Sequence, residues 1–138
     1  MVTRVAVNER TSKGYEGLEV YQRAMALLKP MHSLVLTFPD YEKYDLASQM
    51  RRACKSIPAN VAEGYARRRS PKEFCNFLSV AMGSANEMEV HLRIAKELDY
   101  VTEHQCHEFT REYQTIGKQL NGLIKYWRPV KPPIASNQ

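Results

Sequence analysis

Four long stretches of this chain carry apolar residues at alternating spacings of three and four, the spacing of one face of an α-helix. In the first stretch, two such lines begin at Leu18 and Val20 and run side by side. Together they form an apolar face wide enough to be buried in a helical bundle. No stretch shows the alternation of a half-buried strand or the turn residues of a hairpin. The pattern therefore predicts an all-α protein.

Proline residues predict how the first two helices bend and where they meet. Pro30 and Pro58 lie within the first and second stretches. Each predicts a kink, because proline lacks an amide donor and crowds the preceding turn. The segment Phe38-Pro39-Asp40 ends the first helix, and Asp40 is the predicted cap of the next. We expect the second helix to run from about Glu42 to Ala66.

Two capping motifs begin the remaining helices. Ser70-Pro71-Lys72-Glu73 and Thr102-Glu103-His104-Gln105 both have the spacing of a capping box, and Pro71 fits the first turn of a helix. The connections are short, so sequential helices should be antiparallel neighbours. We therefore predict an up-down antiparallel four-helix bundle over residues 16–128. A flexible N-terminus at 1–15 and a Pro-rich tail at 129–138 should flank it.

Composition and cysteine spacing narrow the class of protein. The chain has 138 residues, of which 43% are hydrophobic and 25% charged, as expected for one soluble domain. No apolar run approaches the roughly 18 to 20 residues that span a bilayer, and the first residues do not resemble a signal peptide, so we expect a cytoplasmic protein. Cys54, Cys75 and Cys106 lie far apart, which argues against a disulfide framework or a zinc site and predicts buried free thiols.

The surplus positive charge is concentrated between residues 51 and 72. This segment holds seven basic side chains and one acid, a local net charge of +6, whereas the rest holds 13 basic and 14 acidic side chains. Such a local excess is typical of a nucleic-acid-binding surface. The candidate binding residues are Arg51, Arg52, Lys55, Arg67, Arg68, Arg69 and Lys72. Two alternatives remain open: Arg67–Arg69 could be a solvated turn between helices, and Arg52 could pair with a carboxylate.

A line of polar residues runs beside the apolar face of the second helix, and a similar line runs along the third. We interpret these residues as a structural network that hydrogen-bonds across the interface between the two helices. The predicted members are Gln49, Ser56, Asn60, Glu63, Ser84 and Glu87. Gly83 lies beside this line, where a missing side chain would let two helices approach closely.

A metal site within the bundle is the competing interpretation, with Glu63, Glu87 and His91 as ligands. Di-iron bundles need a Glu-x-x-His spacing on two helices, whereas Glu87 and His91 are four apart and form one such pair. The sequence also lacks a phosphate-binding glycine loop, a Ser/His or Cys/His signature, and an arginine four to six residues before a histidine. We therefore expect no enzyme activity, no metal and no cofactor.

Four sequence blocks resemble the bacterial four-helix bundle proteins encoded within 23S ribosomal RNA intervening sequences (S23-type). The blocks are Leu18–Ala24, Phe38–Pro39 with Glu42–Leu46, Gln49–Ala53 with Ser56–Gly64, and Phe77–Leu78 with Ala81–Glu87. The resemblance spans about Tyr15 to Trp127 and implies a homopentamer of bundles. It also extends to the accessory proteins of diversity-generating retroelements, basic pentameric bundles that bind nucleic acid and a reverse transcriptase. It supplies no catalytic residue.

Three functional hypotheses follow from these observations. The first is a non-enzymatic, oligomeric protein that binds RNA or DNA through its basic surface. Its sequence specificity should be weak, because no strand or loop offers an aromatic platform for reading bases. The second is a protein-interaction adaptor, for example an accessory partner of a reverse transcriptase. The third, a metalloenzyme, is the one that the sequence favours least.

Overall fold

The computed structural model of this protein describes residues 14–129, which form five α-helices and two short 3₁₀ turns without any strand. The α-helices are α1 (Glu19–Ala26), α2 (Leu28–Val35), α3 (Leu46–Ala66), α4 (Pro71–Glu97) and α5 (Glu103–Trp127). The 3₁₀ turns are Gly14–Gly17 and Asp40–Glu42. The predicted flexible N-terminus falls mostly outside the described residues, as does most of the Pro-rich tail.

The helices form a four-helix bundle in which α1 and α2 together supply the first helix. The helix α4 packs against both α3 and α5, while α1 packs against α3 and α5 and so closes the ring. The predicted all-α fold and four-helix bundle are therefore confirmed. Side chains from every helix meet in one core, where Met31, Ile57, Phe74, Leu92 and Ile116 are completely buried.

The first helix is interrupted at Leu27, one turn before Pro30. Proline has no N–H to donate to the carbonyl of the residue four positions earlier, so the helical hydrogen bonding fails there. The Leu27 N–H instead donates to the Ala24 carbonyl at 3.2 Å, and the Met31 N–H restores the helical pattern by donating to Leu27 at 3.0 Å. Pro58, in contrast, lies within α3 without interrupting it.

The second bundle helix starts at Leu46, so the expectation of a start near Glu42 is wrong. Asp40 is not its cap, because Asp40–Glu42 forms a separate 3₁₀ turn. Glu42 is buried, and its Oε1 accepts a hydrogen bond from the Leu46 N–H at 3.2 Å. Its Oε2 accepts another from the Tyr100 hydroxyl at 2.7 Å. The Glu42 carboxylate, which lies outside α3, thus accepts a hydrogen bond from a backbone N–H in the first turn of α3.

The two predicted capping boxes differ in the structure. The Thr102 box is complete, since its hydroxyl accepts the Gln105 N–H at 3.0 Å and the Gln105 side chain accepts the Thr102 N–H at 2.9 Å. Ser70 accepts the Glu73 N–H at 3.2 Å. The Glu73 carboxylate, however, pairs with Arg67 at 3.5 Å instead of returning to the cap. The expectation that the Glu73 side chain completes the Ser70 capping box is therefore wrong. The Glu73 carboxylate instead links α4 to the turn that precedes it.

The close approach between α3 and α4 occurs at Gly64 and not at Gly83. A Cβ atom at Gly64 would lie 2.8 Å from Phe77 Cβ and 3.2 Å from the Phe74 carbonyl oxygen. A Cβ atom at Gly83 would meet nothing within 4 Å, so the role expected for that glycine inside the bundle is wrong. The contact at Gly64 brings the end of α3 onto the first two turns of α4 and so positions the basic turn between them.

Candidate nucleic-acid interface

The seven candidate basic residues form two groups separated along α3. Arg51, Arg52 and Lys55, here called the mid-helix group, lie in the first half of the helix. Arg67–Arg69 and Lys72, here called the arginine turn, lie between α3 and α4 or in the first turn of α4. Lys55 and Arg67 are twelve residues apart, about 18 Å along the axis at 1.5 Å per residue. A single bundle therefore presents two basic groups.

Arg67 is held by two carboxylates at the end of α3. Its Nη2 lies 2.8 Å from Glu63 Oε2, and its Nη1 lies 3.5 Å from Glu73 Oε1. The hydrogen bond and charge of Glu63, followed by those of Glu73, raise the pKa of the Arg67 guanidinium. The guanidinium also lies 5.5 Å from the centroid of the Phe77 ring. These contacts connect the end of α3 to the start of α4.

The remaining cations of the arginine turn are more available to a ligand. Arg68 stacks over the Tyr65 ring at 4.0 Å and donates a hydrogen bond to the Tyr65 carbonyl at 2.9 Å, so its position is fixed while its charge stays exposed. Arg69 and Lys72 are exposed, and neither forms an ion pair with any residue between 14 and 129. The turn therefore combines fixed and freely exposed cations.

The mid-helix group also contains both a hydrogen-bonded cation and exposed ones. Arg51 is half-buried, and its Nη2 donates a hydrogen bond to the Lys43 carbonyl at 3.0 Å. Arg52 and Lys55 are exposed. The alternative that Arg52 pairs with a carboxylate has no support within the described part of the chain, where Arg52 forms no ion pair.

The structure brings three of the six predicted network residues together across the interface between α3 and α4. The Ser84 hydroxyl donates to the Ser56 hydroxyl at 2.9 Å, and the Asn60 amide donates to the same oxygen at 2.9 Å. The other three residues pair one turn away on or beside their own helices: Gln49 with Asp45, Glu63 with Arg67, and Glu87 with His91. The hydrogen bond of this network that joins the two helices is thus the one between the Ser84 and Ser56 hydroxyls, and Asn60 supports it from the same helix as Ser56.

The residues proposed as metal ligands do not converge. His91 is buried and its Nε2 lies 3.0 Å from Glu87 Oε2, but Glu63 is engaged by Arg67. Within residues 14–129, no group of three or more histidine, cysteine, aspartate or glutamate side chains could hold a metal ion. None of the helices over the same residues combines the length and the apolar character that crossing a membrane requires.

All three cysteines are free thiols, but only Cys54 is buried, so the expectation of burial is wrong for Cys75 and Cys106, which are half-buried. Burial raises the pKa of the Cys54 thiol to about 11. The Cys75 thiol donates to the Ile124 carbonyl at 3.7 Å. This contact places the start of α4 beside the end of α5.

Residues 16–122 match the family model described as 23S rRNA-intervening sequence protein. The chain belongs to this family. The resemblance inferred from the four sequence blocks is therefore confirmed. A similar solved structure is a protein of unknown function from the S23 ribosomal protein family of Bacteroides thetaiotaomicron. It shares 26% identity with this chain at a TM-score of 0.69, covering 77% of this chain and 95% of its own. Among curated proteins, none matches this chain.

Basic and aromatic residues at the end of α5 lie close to the candidate interface of this intervening-sequence protein, although the charge pattern of residues 51–72 does not point to them. Lys125 and Arg128 are exposed beside Tyr126, which is 82% exposed. The Trp127 ring packs against Phe74 with centroids 5.1 Å apart, which joins this segment to the arginine turn. The run Lys125-Tyr126-Trp127-Arg128 places two aromatic side chains between two basic ones, a sequence signal for nucleic-acid contact.

Proposed function

We propose that this intervening-sequence protein is a non-enzymatic, oligomeric protein that binds RNA or DNA through its basic surface with weak sequence specificity. The observation that carries the proposal is the concentration, within residues 51–72, of exposed cations that have no carboxylate partner in the described part of the chain. They are Arg52, Lys55, Arg68, Arg69 and Lys72. Solubility alone does not require cations to be concentrated in this way.

Phosphate contacts made by such side chains derive most of their free energy from the release of counterions. Lysine and arginine on helix surfaces and turns reach phosphate oxygens without reading the edges of the bases. Binding should therefore weaken steeply with added salt and should differ little between sequences. Several copies in one oligomer would strengthen it, because each further contact becomes intramolecular.

Filter binding of a structured RNA at two salt concentrations tests this proposal. The double variant Arg69→Ala/Lys72→Ala should weaken binding at low salt. It should also reduce the slope of log K against log salt by about 0.7 to 0.9 for each phosphate that the variant no longer neutralises. The double variant Arg93→Ala/Arg111→Ala also removes two cations, from exposed positions elsewhere on α4 and α5, and serves as the matched control. No binding by the wild-type protein at low salt, or equal losses in test and control variants, would count against the proposal.

Self-association is the second part of the proposal, and one exposed face of α4 supports it. The apolar side chains on this face are Val80, Val90, Ile94 and Leu98. They lie on one side of the helix by its 100° step, and Gly83 lies on the same side with open space around it. Family resemblance implies that the oligomer is a homopentamer. Exposed apolar side chains grouped on one side of a helix favour a protein interface, and the Glu87 carboxylate lies among them on the same side.

Light scattering coupled to size exclusion tests the oligomer. The wild-type protein should elute with the mass of several bundles. Gly83→Arg should reduce that mass while leaving the bundle folded, because a side chain at Gly83 meets nothing within one bundle. Gly122→Arg, at a second open glycine on α5, should leave the mass unchanged. A wild-type protein that is monomeric at every concentration would refute this part.

The adaptor remains a second candidate function, favoured by exposed residues at the opposite end of the bundle. Leu36 and Tyr41 are strongly exposed in or beside the connection between α2 and α3. Such a surface suits a large protein partner such as a reverse transcriptase. Binding of a purified reverse transcriptase that survives nuclease and is lost in Leu36→Ser/Tyr41→Ala would favour the adaptor. Binding that is abolished by nuclease would favour nucleic acid.

A further inference from the structure

Aromatic contacts connect the arginine turn to the end of α5 in an unbroken series. Arg68 lies over the Tyr65 ring at 4.0 Å, and Tyr65 packs against Phe74 with centroids 6.0 Å apart. Phe74 in turn meets Trp127 at 5.1 Å, and Trp127 meets Tyr126 at 6.1 Å. Phe74 is completely buried, so the series is anchored in the core at its centre. The exposed ring of Tyr126 thus lies at the far end of a series anchored in the core, at the same end of the bundle as the arginine turn.

The charge around this series is strongly positive. Residues 113–129 of α5 and the following segment include Lys118, Lys125 and Arg128 and contain no aspartate or glutamate. The hydrogen bond from Cys75 to the Ile124 carbonyl shows that the end of α5 lies against the first turns of α4. Lys125 and Arg128, which flank Tyr126 and Trp127 in the chain, therefore lie at the same end of the bundle as the arginine turn.

An exposed aromatic ring among cations suits one kind of ligand best. A duplex hides the faces of its bases, whereas a single strand offers both phosphates for the cations and free base faces for the ring. From this arrangement we infer that Tyr126 is a stacking platform for a base of single-stranded nucleic acid whose phosphates contact Arg69, Lys125 and Arg128. This inference rests on the proposed function and specifies its ligand.

The chain provides a matched control for the platform. Tyr44 is 85% exposed, close to the 82% of Tyr126, and its ring also has a cation nearby, because Lys43 Nζ lies 5.5 Å from its centroid. Tyr44 precedes α3, whereas Tyr126 ends α5, so the two rings lie at opposite ends of the bundle. Removing either ring changes the same kind of exposed side chain, and only Tyr126 lies at the same end of the bundle as the arginine turn.

The test is a fluorescence-anisotropy titration with a labelled uridine oligonucleotide of about 12 nucleotides, within the range that a small binding module covers. Tyr126→Ala should weaken binding about tenfold, as expected for the loss of one stacked base. The slope against log salt should not change, since no cation is removed. Tyr126→Phe should bind as wild type because it retains the ring, and so should Tyr44→Ala. Trp127 is the sole tryptophan and packs against Tyr126 with centroids 6.1 Å apart, so a base stacked on Tyr126 should change the tryptophan fluorescence.

Four outcomes would count against this inference, and only one of them would also remove the proposed function. If Tyr126→Ala binds as tightly as wild type while Arg69→Ala/Lys72→Ala binds weakly, the platform is wrong and the proposed function stands. If Tyr126→Ala weakens duplex binding as much as single-strand binding, the ring does not act by stacking on free bases. If the wild-type protein binds no oligonucleotide at low salt, the proposed function itself fails. Tyr126→Phe that loses binding together with Tyr126→Ala would also overturn stacking.

Discussion

Replacing Gly64 by alanine should destabilise the bundle, although alanine favours the helical conformation more than glycine does. The new Cβ atom would lie 2.8 Å from Phe77 Cβ, 3.0 Å from Phe74 Cδ1 and 3.2 Å from the Phe74 carbonyl oxygen. The Phe77 Cβ and the Phe74 oxygen are fixed by the backbone of α4, so no side-chain rotation can move them away. Relief requires that α3 and α4 separate along a tightly packed interface.

The expected change in the free energy of unfolding of Gly64→Ala is the sum of two opposing contributions. A glycine-to-alanine change in a helix interior stabilises it by about 0.8 to 1 kcal/mol. Overpacking a well-packed interface costs about 1 to 3 kcal/mol. Two of the three close contacts of the new Cβ are with atoms fixed by the backbone, which places this substitution in the upper part of that range. The net loss in the free energy of unfolding should therefore be about 1 to 2 kcal/mol.

Gly122→Ala is the control, because it changes helix propensity without adding a close contact. Gly122 lies in α5, is exposed, and would meet nothing within 4 Å if it carried a Cβ atom. The Gly122→Ala variant gains the same helix propensity without a close contact, so its free energy of unfolding should rise by about 0.5 to 1 kcal/mol. Urea unfolding followed by circular dichroism gives both free energies, with equal m-values as the check that the unfolded state is unchanged. If Gly64→Ala is as stable as wild type, the close approach of the two helices is not rigid and the reasoning fails.

Three further substitutions test other parts of the bundle in the same unfolding assay. Tyr113→Phe should raise stability by about 1 kcal/mol, because the Tyr113 hydroxyl is buried without a hydrogen-bond partner in the described part of the chain; a clear loss would reveal a missed partner. Thr102→Ala should cost about 1 kcal/mol through loss of the complete capping box, and Thr102→Ser should recover most of it. Burial raises the pKa of Cys54 from 9.0 to about 11, so the unfolded chain loses this proton first. Stability should therefore fall as pH rises from 9 to 11, and it should fall less in Cys54→Ala; an equal fall in both proteins would contradict this pH dependence.

The helix boundaries that depend on neighbouring residues could be predicted from the sequence. Pro71 and Glu103 begin α4 and α5 where the capping motifs indicate, because a cap involves only four consecutive residues. The start of α3 could not be predicted in this way. It depends on Glu42, whose carboxylate is held by Tyr100, a residue 58 positions away in the chain. Residues so distant are brought together only by the packing of the bundle.

The roles of the two glycines on adjoining helices also could not be predicted from the sequence. Gly64 and Gly83 both lie inside predicted helices next to polar lines, and their immediate sequences do not distinguish them. Only the packing of the helices decides that Gly64 faces Phe74 and Phe77 while Gly83 faces open space. The candidate site follows this rule as well. Its seven basic residues and their separation along the chain could be read from the sequence, but the ion pairs that engage Arg67 and the approach of α5 could not.

The three arginines of the turn have different roles, which follow from their contacts. Arg67 is engaged by Glu63 and Glu73, so it must leave two carboxylates before it can bind a phosphate. Both ion pairs are exposed to solvent, and such surface pairs weaken with salt. Breaking them therefore costs little free energy, but it still lowers the contribution of Arg67 to binding. Arg69 has no such obstacle and contributes its charge directly. A ligand should therefore depend more on Arg69 than on Arg67, even though the two residues are indistinguishable in a run of three arginines.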